Sequence, residues 1–380
     1  MKLIARSSKL SGSTRVPPSK SHTIRAIAIA SLAHGKSTIV NPLDSLDTRA
    51  AISAYRAFGA EIETPEGSWT VSGTSGSPTA PRGKIDTQNS GTTFYIAMGT
   101  AALVPGARVE LTGDSQVRRR SAGPLAQALR DLGAEVQTTG EKELPPVAVR
   151  GKIRGGSTSI RATISQYLTS LLIHCPLADG DSTIDVPLLN EKPYVEMTLH
   201  WLRRQNIALT HNDDLSRFHI PGRQKYSAFE AEIPGDFSSA TFFLVAAAAT
   251  GSSVTFEGLD INDTQGDRAV LAMLETMGAE VRHEKNAITL RGGPLKGASF
   301  DLNATPDALP AMAVAACAAE GETRLLNAPQ ARDKETDRIS VMKAELAKMG
   351  ARIEELPDGL VIRGGPLTGT KLHGHGDHRV

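Results

Sequence analysis

Apolar runs recur along this chain, each opening on a cluster of small polar residues and each closing on a glycine: Gly35, Gly106, Gly180, Gly251 and Gly321. The run over residues 24–32 is built of helix-forming Ala, Ile and Leu. The run over 242–249 is apolar on every side, which predicts a helix buried inside a lobe. A short strand follows each run, as at residues 37–40 and 253–256, and then a more amphipathic helix, as at 48–58 and 339–349. One or two further strands complete the pattern. Helices alternating with strands place the chain in the α/β class.

The pattern is periodic. A helix end followed by a strand recurs as Phe58-Gly59-Ala60-Glu61, Leu132-Gly133-Ala134-Glu135, Met277-Gly278-Ala279-Glu280 and Met349-Gly350-Ala351-Arg352, with a degenerate copy at Gln205-Asn206-Ile207-Ala208. The steps between these marks are 74, 73, 72 and 72 residues. Glycine is expected just past a helix end because it accepts a left-handed backbone. Strand ends keep the same period, at Gly73, Gly151, Gly222, Gly292 and Gly364. Such a period is too long for the common short solenoids. It predicts large units gathered into globular lobes, one spanning residues 17–234 with three complete units, the other formed by 1–16 with 235–380.

Chemistry concentrates at one point of the unit, the loop before the apolar helix. Its copies begin at Ser19, Asn89, Ser165, Asp236, Asp307 and Asp377, with steps of 70, 76, 71, 71 and 70 residues. A helix N-terminus has free backbone N–H groups and a partial positive charge, so each copy is a seat for an anion. Two lobes of three units are expected to bring these ends to one anion-attracting cleft. N-capping alone accounts for Ser165 and Ser238; it does not account for Lys20, Arg25 and Arg379. A second loop adds Arg118-Arg119-Arg120, of which one turned inward would suffice, and Lys334-Glu335-Thr336-Asp337-Arg338, whose Lys334 and Arg338 share a helical face.

Composition narrows the partners. Net charge is +1 with 22% charged residues, so no nucleic-acid or membrane surface is indicated and anion binding must be local. Cys175 and Cys317 sit in apolar helical runs and read as buried free thiols in a reducing compartment. The N-terminal stretch lacks the apolar core of a signal peptide, so a cytoplasmic monomer is expected. Three motifs carry nothing. Gly35-Lys36-Ser37 would end a P-loop only with glycine at position 30, where Ala30 stands. His373, His375, Asp377 and His378 resemble metal ligands but have no partner cluster at zinc spacing. No Gly-x-Gly-x-x-Gly follows a strand, so no dinucleotide site is expected.

Taken together, Pro18-Ser19-Lys20-Ser21 with Arg25, Asn89-Ser90-Gly91-Thr92, Ser165-Gln166, Lys192-Pro193-Tyr194, Pro306-Asp307-Ala308, Lys334-Glu335-Thr336-Asp337-Arg338 and Asp377-His378-Arg379 resemble the 5-enolpyruvylshikimate-3-phosphate synthases. The match runs in order from near residue 15 to the end of the chain. It implies an α/β fold of two lobes, each of three βαβαββ units in an inside-out barrel-like arrangement. The implied reaction transfers the enolpyruvyl group of phosphoenolpyruvate to the 5-hydroxyl of shikimate 3-phosphate, with no metal or organic cofactor. The resemblance assigns Lys20, Gly91, Arg120, Gln166, Arg338 and Arg379 to phosphoenolpyruvate. It assigns Lys20, Ser21, Arg25, Ser165, Gln166, Tyr194, Asp307, Gln330 and Lys334 to shikimate 3-phosphate. Asp307, Glu335 and Lys20 would be catalytic.

The chain departs from the family pattern at four places. Ile164 and Glu191 replace serines whose hydroxyls would face the acceptor's phosphate, Tyr95 replaces an arginine, and Gln330 replaces an asparagine. Two alternatives follow: an enolpyruvyl transferase for another hydroxyl acceptor, or a non-catalytic anion-binding relative. The repeat places a further mark near 422, beyond Val380, so a truncated sixth unit is expected, with opening strands and a loop but no apolar helix. An apolar groove beside Arg379 and low activity are expected with it.

Overall fold

The computed structural model describes Ile4, Arg6, residues 8–284 and residues 287–380. Ten α-helices occur among these residues: α1 Lys20–Leu32, α2 Leu46–Ala57, α3 Gly91–Ala101, α4 Gly123–Asp131, α5 Ser165–His174, α6 Lys192–Arg204, α7 Phe237–Ala249, α8 Ala269–Met277, α9 Leu309–Ala318 and α10 Arg338–Lys348. The odd-numbered helices are the apolar runs, and each starts at the polar cluster before it. Ser19 accepts from His22 N–H, Ser90 from Thr93 N–H and Asp236 from Ser239 N–H, closing the first turns of α1, α3 and α7.

Five four-stranded sheets repeat one topology: a parallel pair followed by two antiparallel neighbours. In spatial order they are Glu230–Glu232, Lys36–Val40, Ser68–Ser72 and Glu61–Glu63; Ile85–Asp86, Arg108–Thr112, Leu144–Arg150 and Glu135–Thr139; and Gly156–Ala162, Ser182–Leu189, Arg217–Ile220 and Thr210–His211. The remaining two are Ser11–Arg15, Ser253–Glu257, Ala287–Arg291 and Glu280–Glu284, and Ser299–Asp301, Glu322–Leu326, Gly359–Arg363 and Arg352–Leu356. The period in the sequence is therefore a βαβαββ unit. Its helix-end glycines Gly59, Gly133, Gly278 and Gly350 have φ of 98°, 104°, 112° and 91°, and Asn206 takes the same left-handed region at 55° in the degenerate copy.

The chain divides into two compact units, Pro18–Pro234 and a discontinuous one in which residues up to Pro17 join Gly235–Val380. The sheets explain the discontinuity. Ser11–Arg15 is the opening strand of a sheet whose remaining strands begin at Ser253, and Glu230–Glu232 opens the sheet whose other strands begin at Lys36. Each opening strand thus lies far in sequence from the helix its unit needs. In Pro18–Pro234, α1, α3 and α5 are buried almost throughout.

One expectation is corrected in the other unit. Helix α7 is not buried all round: Phe243 is 52% exposed, and Val314 on α9 is 38% exposed. Among the described residues two apolar helices, α7 and α9, pack together in this unit, and Phe243 and Val314 lie on their exposed sides. After the mark at Gly350 come the strands Arg352–Leu356 and Gly359–Arg363, and residues 364–380 follow them as neither strand nor helix. In the other units the opening strand takes its hydrogen bonds from the strand after the apolar helix, and among the described residues 364–380 have no such partner.

The core of Pro18–Pro234 contains two buried histidines, His22 and His174. His174 Nδ1 lies 2.6 Å from the Ser170 carbonyl, Thr100 Oγ1 lies 2.8 Å from His174 Nε2, and Tyr55 Oη is 3.1 Å from Thr100 Oγ1. Since Nδ1–H must donate to the carbonyl, Nε2 accepts, and the ring is neutral. Burial pulls it down to about 4, with the Ser170 hydrogen bond opposing. Between pH 6.5 and 4 the unfolded chain binds a proton that the folded one refuses, so stability falls as pH falls through this window. The loss should approach about 3 kcal/mol. Urea midpoints measured across it should fall less steeply for His174→Gln than for the parent chain. Cys175 and Cys317 are free and buried, and burial pushes their thiols up to about 12 and about 11.

Candidate active site

In Pro18–Pro234 the first turn of α1 presents Lys20 and Ser21, and one turn further Arg25 enters the interior. Arg25 is fully buried. Its Nε donates to Thr198 Oγ1 (2.9 Å), Nη1 to Ser21 O (3.1 Å), and Nη2 to Thr169 Oγ1 (3.2 Å) and Tyr194 O (3.0 Å). Those four partners are neutral oxygens, so a guanidinium ties α1, α5 and α6 together with no carboxylate among them. Burial pulls Arg25 down to about 10, with Tyr194 opposing. An anionic ligand would relieve that cost. Lys20 Nζ lies 3.6 Å from Asp47, whose other oxygen is 3.5 Å from Asn89 Nδ2.

Arg118 and Arg119 are exposed, while Arg120 turns inward against the start of α3. A Cβ on Gly91 would lie 2.5 Å from Arg120 Nη1, so that position admits only glycine while the guanidinium stays there. Tyr95 and Tyr167 stack edge to face at 5.0 Å, and both hydroxyls donate to the Ser121 carbonyl, bracing the residue after Arg120.

At α5 the structure corrects the capping expectation. Ser165 is the first helical residue; Ile164 holds the cap position and has no polar group to offer. The cap comes from Glu191. Its Oε2 accepts from Ser165 N–H (3.0 Å) and Ser165 Oγ (2.7 Å), with the carboxylate buried and the backbone left-handed at φ 57°. Likewise Ser238 is not the cap of α7. Asp236 is, and Ser238 shares a hydrogen bond with the buried Asp267. Burial and the neighbouring Asp307 push Asp267 up to about 7, against the pull of Arg379.

The second unit gathers the remaining candidates around Arg338, at the start of α10. Arg338 is 1% exposed. Its Nη1 donates to Asp307 (2.7 Å), its Nη2 to Glu335 (2.6 Å) and Asp377 (3.1 Å), and its Nε to Asp377 (3.0 Å). Burial alone would lower this guanidinium, but Asp307, Glu335 and Asp377 outweigh it and hold it above its ordinary value. Arg379 is also buried, and its Nε is 3.2 Å from Asp307 Oδ2. Burial opposes its charge too, and Asp307 and Asp236 raise it. Lys334 Nζ stands 3.9 Å from Asp307. Asp307 therefore sits in the turn Pro306–Ala308 before α9 with three cations around one carboxylate. Gln330 is buried nearby in sequence and donates to the Asn303 carbonyl.

Glu335, Asp377 and His378 bring potential ligand atoms within 4.8 Å of one another. The oxygens are already committed. Asp377 accepts from Arg338, Thr336 and the Arg379 N–H, and Glu335 accepts from Arg338, so a guanidinium is the local cation. Asp47 is the site carboxylate that the sequence did not single out, and Glu191 entered only as a departure from the family pattern, with no capping role. Asp377 carried a signal, as the start of the sixth N-terminal loop.

A family model described as EPSP synthase (3-phosphoshikimate 1-carboxyvinyltransferase) matches residues 4–380. The chain is 50% identical to a 3-phosphoshikimate 1-carboxyvinyltransferase of Ruminiclostridium cellulolyticum, covering 100% of this chain and 90% of that one. It is 52% identical to the protein of the same name from Acetivibrio thermocellus, covering 100% and 89%. A solved EPSP synthase from Acinetobacter baumannii superposes with a TM-score of 0.81 at 30% identity, over 98% of this chain and 88% of that one.

Proposed function

Because the chain belongs to the EPSP synthase family, we propose a division of its reaction among the residues of its two units. The enzyme transfers the enolpyruvyl group of phosphoenolpyruvate to the 5-hydroxyl of shikimate 3-phosphate and releases phosphate, a step of the shikimate pathway to aromatic amino acids. None of the helices among the described residues is long and apolar enough to cross a membrane.

Attack of the hydroxyl on C2 of phosphoenolpyruvate needs a base for the hydroxyl proton and an acid for the methylene carbon. Loss of phosphate then needs that methylene proton removed again. Asp307 takes the hydroxyl proton; Glu335 and Lys20 serve the methylene. Lys20, Gly91, Arg120, Gln166, Arg338 and Arg379 hold phosphoenolpyruvate. Arginine forks match its carboxylate and phosphate oxygens. Ser21, Arg25, Ser165, Gln166, Tyr194, Gln330 and Lys334, with Lys20 and Asp307, hold the acceptor. The observation that carries this reading is Asp307 itself, a carboxylate bracketed by Arg338, Arg379 and Lys334.

One observation favours a second reading, an acceptor other than shikimate 3-phosphate: the Glu191 carboxylate already occupies the start of α5. Phosphate release measured with phosphoenolpyruvate and a panel of hydroxyl acceptors separates the two. Release with shikimate 3-phosphate is expected. Release only with another alcohol would establish the second reading, and none with any acceptor would leave an anion-binding relative.

Gly91→Ala tests the phosphoenolpyruvate half. The added methyl meets only the movable end of Arg120, so the fold should survive while the guanidinium is displaced. KM for phosphoenolpyruvate should rise roughly tenfold, as for loss of about 1.4 kcal/mol of binding, with the melting temperature little changed. An unchanged KM would remove Arg120 from the clamp.

A further inference from the structure

Two of the histidines that resemble metal ligands, His373 and His375, serve a different end in the fold. Glu345, two turns along α10 from Arg338, accepts from the His373 backbone N–H (3.0 Å), and its Oε1 is 2.7 Å from His375 Nε2. The His375 backbone N–H donates to His373 Nδ1 at 2.9 Å. Glu345 is ionised: burial would raise it, but Lys348, His375 and the His373 N–H outweigh that and hold it down at about 2. It can only accept, so His375 Nε2 carries the hydrogen.

Seven residues separate Glu345 from Arg338, about 10 Å along the same helix face. The segment 373–379 is pinned at both points. Upstream, Glu345 holds His373 and His375; downstream, Arg338 grips Asp377, the Asp377 N–H donates to the Gly374 carbonyl (2.9 Å), and the Arg379 N–H donates to Asp377 Oδ1 (2.9 Å). Between the pins, His375 and Gly376 are left-handed at φ 50° and 72°. A left-handed histidine is uncommon and is kept by its contacts. Released from Glu345, it would relax toward extended backbone and swing the turn that carries Arg379.

We propose that Glu345 and His375 form a latch that positions Arg379 for phosphoenolpyruvate; this rests on the assignment of Arg379 to that substrate. The downstream pin depends on Arg338, which the same assignment gives to the substrate. The latch is an anchor that uses neither of these cations, as is the Thr336 hydroxyl that donates to Asp377 at the downstream end. Glu345 and His375 are thus positioning residues, and their loss should be read in one substrate only.

Steady-state phosphate release is measured for Glu345→Ala, His375→Ala, the double variant and His375→Gln, with melting temperatures. Each alanine variant should raise KM for phosphoenolpyruvate roughly tenfold, within the cost of a small misplacement of a clamp, while kcat and KM for shikimate 3-phosphate stay close to the parent values. The double variant should be no worse than either single one, because one contact is being removed twice. His375→Gln keeps an N–H donor and should restore the lower KM. A KM for phosphoenolpyruvate unchanged in both alanine variants overturns the latch, whatever happens to melting. So does a parallel rise for both substrates, which marks general loosening. Arg379→Ala is the control: if it leaves KM for phosphoenolpyruvate unaltered, the assignment of Arg379 fails and the latch fails with it, whereas a raised KM there with normal alanine variants condemns the latch alone.

Discussion

Asp307→Asn is expected to lower turnover by about a hundredfold or more while leaving both substrates bound, the usual weight of a general base. The sign of the binding effect follows from the surroundings. Arg338, Arg379 and Lys334 lie 2.7, 3.2 and 3.9 Å from this carboxylate. Removing its charge leaves those cations less compensated, so an anionic substrate should bind as tightly as before or tighter. The variant should therefore show a large loss in kcat with KM for phosphoenolpyruvate equal or reduced. Asparagine keeps the shape and an acceptor oxygen, so folding should be little disturbed. Turnover equal to that of the parent chain would remove Asp307 from the mechanism. A raised KM at normal kcat would make it a binding residue instead.

Such a prediction is possible because part of this site is written locally in the chain. The loop marks at Ser19, Asn89, Asp236 and Asp307 all stand at the start of an apolar helix, and Ser19, Ser90 and Asp236 close their helices as short polar residues do. These features depend on contacts within one unit of the repeat, where sequence spacing and spatial neighbourhood agree. Arg120 was named only through the family resemblance; the three arginines by themselves left open which one turns inward, and the structure seats Arg120 against Gly91 at the start of α3.

The long-range partners were not legible. Glu191 caps α5 from 26 residues away, at a place where local reading credited Ser165 with the capping. Nothing in the run around Ile164 announces that the helix lacks a cap of its own. Asp377 reaches Arg338 across 39 residues, and Glu345 finds His375 across 30. Electrostatic pairing has no periodicity to read. The same limit explains α7, whose sequence is apolar on every side although Phe243 is half-exposed. Hydropathy states what a helix would bury; how many helices are present to bury it is a property of the assembled unit. Likewise, residues 364–380 carry the mark of another unit but no strand, because a strand exists only in a ladder.

The largest stability effect should come from Arg338. Its guanidinium is almost fully buried and compensates Asp307, Glu335 and Asp377, and the last of these is buried completely at its side chain. Replacing it by Met preserves much of the volume but leaves those carboxylates without their shared cation. Breaking a buried pair in this way costs about 3–5 kcal/mol, more than the pair contributes over an apolar replacement of both partners. In a unit of this size 1 kcal/mol corresponds to roughly 2–4 °C, so the melting transition of that unit should fall by about 10 °C. Arg338→Lys should recover little, because one ammonium cannot span three carboxylates that a planar fork reaches along different edges. Combining Arg338→Met with Asp377→Asn should regain part of the loss, since the most deeply buried of the orphaned charges is then gone. Calorimetry of the three variants reads all of this. A melting temperature for Arg338→Met within 2–3 °C of the parent, about 1 kcal/mol, would show that solvent reaches the carboxylates and that the guanidinium is dispensable to the fold.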